Sequence, residues 1–229
     1  TKDRPDCQPR IFWNTVVNPW TPFAARGMIW YQGEHDSGEP ATYTAKMHRL
    51  YDGWRQRFGN PDLRFYYAQL CSWGTNIAPF QEAQAMFEQE EPNAAMAVIC
   101  DVCNLTDIHT NDKEPVGRRL ARLAANRSYG RTDLIPTGPT PVGATLEGGR
   151  VLVRFANAGK GLKANDGKAL REFELGDKDG KFVNVKAEIV GGDTVALEIP
   201  DGIKPVRVRH AWDDCPEINL SNSEGDPAT

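Results

Sequence analysis

No stretch of the chain approaches the roughly 18 consecutive apolar residues of a membrane span. Neither sign of charge is in excess: 27 Lys and Arg stand against 31 Asp and Glu, a formal net of −4. That balance gives no general electrostatic reason to bind nucleic acid or a membrane surface. The polar start Thr1-Lys2-Asp3-Arg4-Pro5-Asp6 lacks the apolar centre of a signal peptide. It also lacks an initiating Met, so the chain reads as processed or truncated, with a longer natural protein behind it. The five cysteines are an odd number, which is not a full disulfide framework. Cys100 and Cys103 have redox or zinc spacing, but they close an apolar run, Ala95 to Val102, that reads as a strand. Residues three apart on a strand point to opposite faces, so the favoured reading is two small residues at a strand end.

What is present is an ordinary globular composition, with 40% hydrophobic and 25% charged residues over 229 positions. Gly27 to Tyr31 is a short apolar run and reads as a strand buried on both faces. From Pro40 the spacing of Tyr43, Met47, Leu50, Tyr51 and Trp54 is helical, and Gly59-Asn60-Pro61 ends it. Arg64 to Leu70 reads as a second strand, Ala78 to Glu90 as a second helix, and Asn93 to Val102 as a third strand. Glu114 to Tyr129 is a third helix, with Val116, Leu120 and Leu123 on one stripe. Its arginines, Arg118, Arg119, Arg122 and Arg127, read as a solvated face from which one could pair with a carboxylate. Alternation with short loops predicts right-handed crossovers and a parallel sheet. Residues 134–149 are rich in Pro and Gly and read as a linker. Beyond them the period becomes two, with turn signals at Asn165-Asp166-Gly167, Asp179-Gly180 and Gly191-Gly192-Asp193. That pattern predicts a small antiparallel β module over 150–229.

Working loops in a parallel sheet follow the carboxyl ends of its strands. After the first strand comes Gln32-Gly33-Glu34-His35-Asp36, and after the third Asp107-Ile108-His109. Gln32 offers amide donors, and Gly33 permits close backbone approach. Asp107 can orient His109 and stabilise its imidazolium, an arrangement that calls for a nucleophile.

Trp30-Tyr31-Gln32-Gly33-Glu34, then Asp107-Ile108-His109, Asn111-Asp112-Lys113 and Val116-Gly117 in this order resemble the sialate O-acetylesterase family of bacterial carbohydrate esterases, which are SGNH hydrolases. The likeness extends to Thr21-Pro22-Phe23 upstream and to Phe173-Glu174-Leu175, Trp212, Asn219-Leu220 and Glu224-Gly225 near the end. The resemblance implies an α/β fold. It would be part of a flavodoxin-like, three-layer SGNH sandwich with a parallel sheet, over 1–133, followed by the antiparallel module. It implies deacetylation of sugars through a serine acyl-enzyme, without a cofactor, in an exported bacterial protein. Carried over by position, His109 is the general base, Asp107 its orienting acid, Gln32 an oxyanion-hole donor beside Gly33, and Glu34 a supporting residue of that loop. Trp73, after the second strand, is a candidate for sugar stacking.

The family's serine turn, of Gly-Gln-Ser-Asn type, is absent. The serines are Ser37, Ser72, Ser128, Ser221 and Ser223, and none has that context; Ser37 reads as a helix N-terminal residue. The nucleophile is therefore expected from a missing upstream segment of the same enzyme. In a flavodoxin-like order that segment's first strand would lie beside Gly27–Tyr31, so alone this chain should present an apolar edge strand and fold poorly. Gln81, Thr110 and His35-Asp36 depart from the family pattern. Two alternatives stand beside the esterase: a non-catalytic carbohydrate-binding remnant, and a zinc hydrolase built from His35, Asp36, Asp107 and His109. The second lacks helical metal-ligand spacing.

Overall fold

In the computed structural model the described residues are 10–72, 77–103, 107, 109 and 111–229. Three strands, β1 (Gly27–Trp30), β2 (Arg64–Ala68) and β3 (Ala94–Ala97), form a parallel sheet in the order β1-β2-β3. Three helices connect and follow them: α1 (Pro40–Phe58), α2 (Ala78–Glu90) and α3 (Glu114–Tyr129). The expected alternation of strand and helix is thus the observed one. Proline in the first turn suits each helix, because the N–H it lacks has no partner there anyway.

The sheet separates two apolar layers. On one face Phe65, Tyr67, Ala94 and Met96 pack with Tyr43, Met47 and Tyr51 of α1 and Phe80 and Phe87 of α2. On the other, Tyr66, Ala68, Ala95 and Ala97 pack with Val116, Leu120 and Leu123 of α3. β2 and β3 are buried on both faces, which their unbroken apolar runs require.

β1 differs from expectation. Met28 and Trp30 face the α1–α2 layer, but Ile29 on the opposite face is 67% exposed. β1 is an edge strand, and among the described residues no helix covers that face of it. Nearby in sequence, Phe12, Trp20 and Phe23 are also exposed. The open edge is the one expected of this chain alone, whereas the second face, expected to be buried, is open at Ile29.

The second half is all β. β4 (Thr140–Glu147), β5 (Arg150–Ala156), β6 (Lys163–Ala164), β7 (Phe173–Gly176), β8 (Phe182–Asn184), β9 (Ala187–Ile189), β10 (Thr194–Glu198), β11 (Arg207–His210) and β12 (Leu220–Ser221) pair antiparallel throughout. They make sheets of order β4-β5-β10-β9 and β11-β7-β8, plus the pair β12-β6. Val151, Val153, Phe155, Phe173, Leu175, Val195 and Leu197 form the core between them. β4 lies inside the stretch expected to be linker. No described helix is long and apolar enough to cross a membrane.

Candidate active site

The loop after β1 is set by packing beneath it. Tyr43 and Phe80 pack with ring centroids 4.2 Å apart and planes tilted by 50°, and the Tyr43 hydroxyl donates to the Gln32 carbonyl at 3.1 Å. Burial pushes the Tyr43 phenol up to about 12, so it stays a donor. Gly33 crosses directly over this pair with φ +152°. A Cβ there would lie 2.9 Å from Phe80 Cζ and 3.0 Å from the Tyr43 hydroxyl. Glycine is needed for both reasons. Glu34 Oε2 accepts from the Gly33 N–H at 3.0 Å, which places Glu34 in support of the loop backbone. The Gln32 amide nitrogen lies 3.5 Å from Asp36 Oδ2. Asp36 in turn pairs with Lys46 at 2.8 Å, and that contact lowers the Asp36 pKa. Ser37 donates to the Glu34 carbonyl at 2.9 Å and so closes the short turn Glu34–Asp36. The helix N-cap is Glu39, not Ser37.

The loop after β3 begins with a 3₁₀ turn, Cys100–Val102. Asp107 and His109 lie beyond it. The His109 N–H donates to Asp107 Oδ1 at 2.8 Å, and His109 Nδ1 lies 3.7 Å from the same oxygen. The carboxylate oxygen is thus hydrogen-bonded to the backbone N–H, with the imidazole nitrogen at ion-pair distance beyond it. The His109 side chain is 90% exposed, open to anything that approaches from the solvent side. Lys113 links the two loops, with its ammonium 4.6 Å from the Tyr31 ring centroid and 3.5 Å from the Tyr31 hydroxyl. Trp73, the expected stacking residue, lies outside the described residues.

Several supports were not legible beforehand. Cys71 and Cys103 are joined in a disulfide, Cα to Cα 5.3 Å, between the loops after β2 and β3. Cys103 is thus not one of two unengaged small residues at a strand end, and its partner is not Cys100. Cys100 is a free thiol, pushed up to about 12 by burial and by Asp101. Two glutamines of α2 hold the β2 loop. Gln84 Oε1 accepts from the Leu70 N–H at 2.9 Å, while Gln81 Nε2 donates to the Leu70 carbonyl at 2.8 Å and to Ser72 Oγ at 3.2 Å. Arg119, read as part of a solvated face, is buried, and its guanidinium grips Asp101 through two contacts of 2.6 Å. Among the described residues no three of His, Cys, Asp and Glu converge as a group that could hold a metal ion.

This geometry sits in a stretch matched by one family model, "Carbohydrate esterase, sialic acid-specific acetylesterase", over residues 13–126. The chain belongs to the sialate O-acetylesterase family of carbohydrate esterases. It is 26% identical to the sialate O-acetylesterase of Mus musculus over 227 residues, covering 88% of this chain and 42% of that protein. It is 25% identical to that of Rattus norvegicus over the same shares. A crystal structure of a carbohydrate acetylesterase from Xanthomonas citri superposes with a TM-score of 0.88 at 30% identity. That match covers 99% of this chain and 54% of the other. The chain thus spans about half the length of the relatives it matches, or somewhat less. These relatives are mammalian as well as bacterial, so the likeness does not by itself assign a bacterial source.

Proposed function

We propose that this chain carries the base side of a carbohydrate O-acetylesterase site, of serine acyl-enzyme and SGNH type. The serine would come from polypeptide outside these residues. The observation that carries the reading is the Asp107–His109 pair, 3.7 Å apart at the carboxyl end of the sheet that also presents Gln32 and Gly33. In this reading His109 takes the proton of the serine hydroxyl as its oxygen attacks the acetyl carbonyl. Asp107 orients the imidazole and stabilises its charged form. The Gln32 amide donates to the oxyanion, a contact whose loss typically costs about 10²–10³ in rate. The tetrahedral intermediate collapses to an acetyl-enzyme, and His109 returns the proton to the departing sugar oxygen. Water, deprotonated by His109, then releases acetate and restores the serine.

The open edge of β1 and the bare face at Ile29 support a seat for the serine-bearing segment. A parallel strand added there would put its own carboxyl-end loop beside Gln32. The Cys71–Cys103 disulfide fits an exported protein, since such bonds persist in oxidising compartments.

The test is hydrolysis of p-nitrophenyl acetate and of an acetylated sugar by the chain alone and with the serine-bearing remainder of a full-length relative. Activity is expected only in the combined protein, and His109→Ala should remove most of it. Retained activity in that variant would take His109 out of the mechanism. A folded, combined protein that binds sugar and hydrolyses neither ester would favour the carbohydrate-binding remnant.

A further inference from the structure

The C-terminal turn of the β module reaches the root of the loop that bears His109. Asp226 lies between two arginines of α3: Arg119 Nε is 3.2 Å from its Oδ1, and Arg122 Nη1 is 2.7 Å from its Oδ2. The Arg119 and Asp226 side chains are 7% and 4% exposed. Arg119 then spends its two terminal nitrogens on Asp101, each at 2.6 Å, and one of them also on the Val98 carbonyl at 2.9 Å. Asp101 is the centre of the 3₁₀ turn that leads through Cys103 toward Asp107. Two guanidinium groups and two carboxylates make this cluster neutral, which is what allows it to be buried.

Asp226 is itself fixed from the β module. Its N–H donates to Asn222 Oδ1 at 3.0 Å, and Asn222 Nδ2 donates to the carbonyls of Thr137 and Asn157, both at 3.1 Å. A continuous polar path therefore runs from the module through Asn222, Asp226 and Arg119 to Asp101.

We infer that Arg119 is a positioning residue for the Asp107–His109 loop and that Asp226 sets Arg119, so that the β module forms part of the scaffold of the site. Removing the Asp226 charge leaves the two arginines with a single carboxylate, Asp101, between them. Repulsion and lost hydrogen bonds then loosen the grip of Arg119 on the turn at residues 100–102. The inference rests on the esterase reading for its consequence in catalysis, but not for its structural claim.

The experiment uses the combined protein of the functional test with Asp226→Asn, Asp226→Glu and Arg119→Lys. Asp133→Asn, at a solvent-exposed ion pair with Arg131, serves as the control. Amide hydrogen exchange is read across the whole chain, and kinetics are read in the same protein. Asp226→Asn should speed exchange over 99–103 and at residues 107 and 109 by about ten-fold or more, with β2 and α1 unchanged. Asp226→Glu should restore part of the protection, and Asp133→Asn should change nothing. In the combined protein Asp226→Asn should lower kcat about ten-fold while KM stays within about two-fold. Unchanged exchange over 99–103 and at residues 107 and 109, or an equal rise everywhere, overturns the inference. So does a loosened loop with unchanged kcat. Absence of activity in every variant, the parent included, counts against the esterase reading alone, and the exchange data then decide this one.

Discussion

Cys71 and Cys103, 32 positions apart in sequence, are covalently joined across the carboxyl ends of β2 and β3. One end of this bridge lies in the loop held by Gln81 and Gln84, and the other lies four residues before Asp107. Together with the Arg119–Asp101 contact it fixes the beginning of the His109 loop on two sides.

Reduction should therefore act on this loop first. Closing a segment of this length is worth about 3–4 kcal/mol through the unfolded chain. Cys71→Ala/Cys103→Ala should lower stability by about that amount in urea titration under oxidising conditions. A reducing agent should lower the parent's midpoint and leave the double variant's unchanged. Equal sensitivity of the two proteins would show that the bridge contributes nothing.

Gly33→Ala should be costly because two effects coincide. The residue sits at φ +152°, and the new methyl would meet Phe80 and the Tyr43 hydroxyl. Strain of this kind costs about 1–3 kcal/mol, and the rings below can yield only by disturbing the packing of α1 against α2. A fall of roughly 2 kcal/mol in unfolding free energy is expected, together with loss of activity in the combined protein. An unchanged urea midpoint would mean that the loop relaxes freely.

Gln84 illustrates a polar group retained for its partner. It is fully buried and accepts from the Leu70 N–H. Gln84→Leu leaves that N–H buried and unpaired, at a cost of about 1–3 kcal/mol. Denaturation curves check the cost, and exchange should rise locally at Leu70 and Cys71. A neutral substitution would imply that another acceptor takes over.

Much of the fold was legible because long amphipathic stripes report helices directly. Ala78–Glu90 and Glu114–Tyr129 run between the residues that periodicity indicates. β1 and its open edge were legible, but its exposed second face was not, because an apolar run has the same composition whether its neighbours are present or not. β4 was hidden by Pro136, Pro139 and Pro141. Pro141 is tolerated because β4 is an edge strand with an irregularity between Pro141 and Gly143. Arg119 looked like a surface residue because its partners, Asp101 and Asp226, lie 18 and 107 positions away. The Cys71–Cys103 pairing was out of reach for the same reason, since spacing alone does not set connectivity. Gln32, Gly33, Asp107 and His109 stood out because loops at strand ends concentrate polar and glycine residues where a parallel sheet places its sites.

His210 provides a pH test away from the site. Its ring packs on Phe173 with centroids 4.5 Å apart, and burial lowers its pKa to about 4 from 6.5. The unfolded chain takes up a proton here below pH 6.5, whereas the folded chain does not until about 4. Between those values the unfolded state holds more protons, so stability rises with pH. The contribution is fully present above pH 6.5 and is lost as pH falls toward 4, by roughly 3 kcal/mol in all. Asp36, Glu39, Asp133 and Asp166, whose pKa values are lowered, add their losses mainly at the acid end of this range and below it. Thermal melts between pH 7 and about 4.5 should therefore fall for the parent and stay flatter for His210→Phe, which keeps an aromatic ring against Phe173 and removes the titration. Parallel curves for the two proteins would assign the acid sensitivity to other groups and remove His210 as its source.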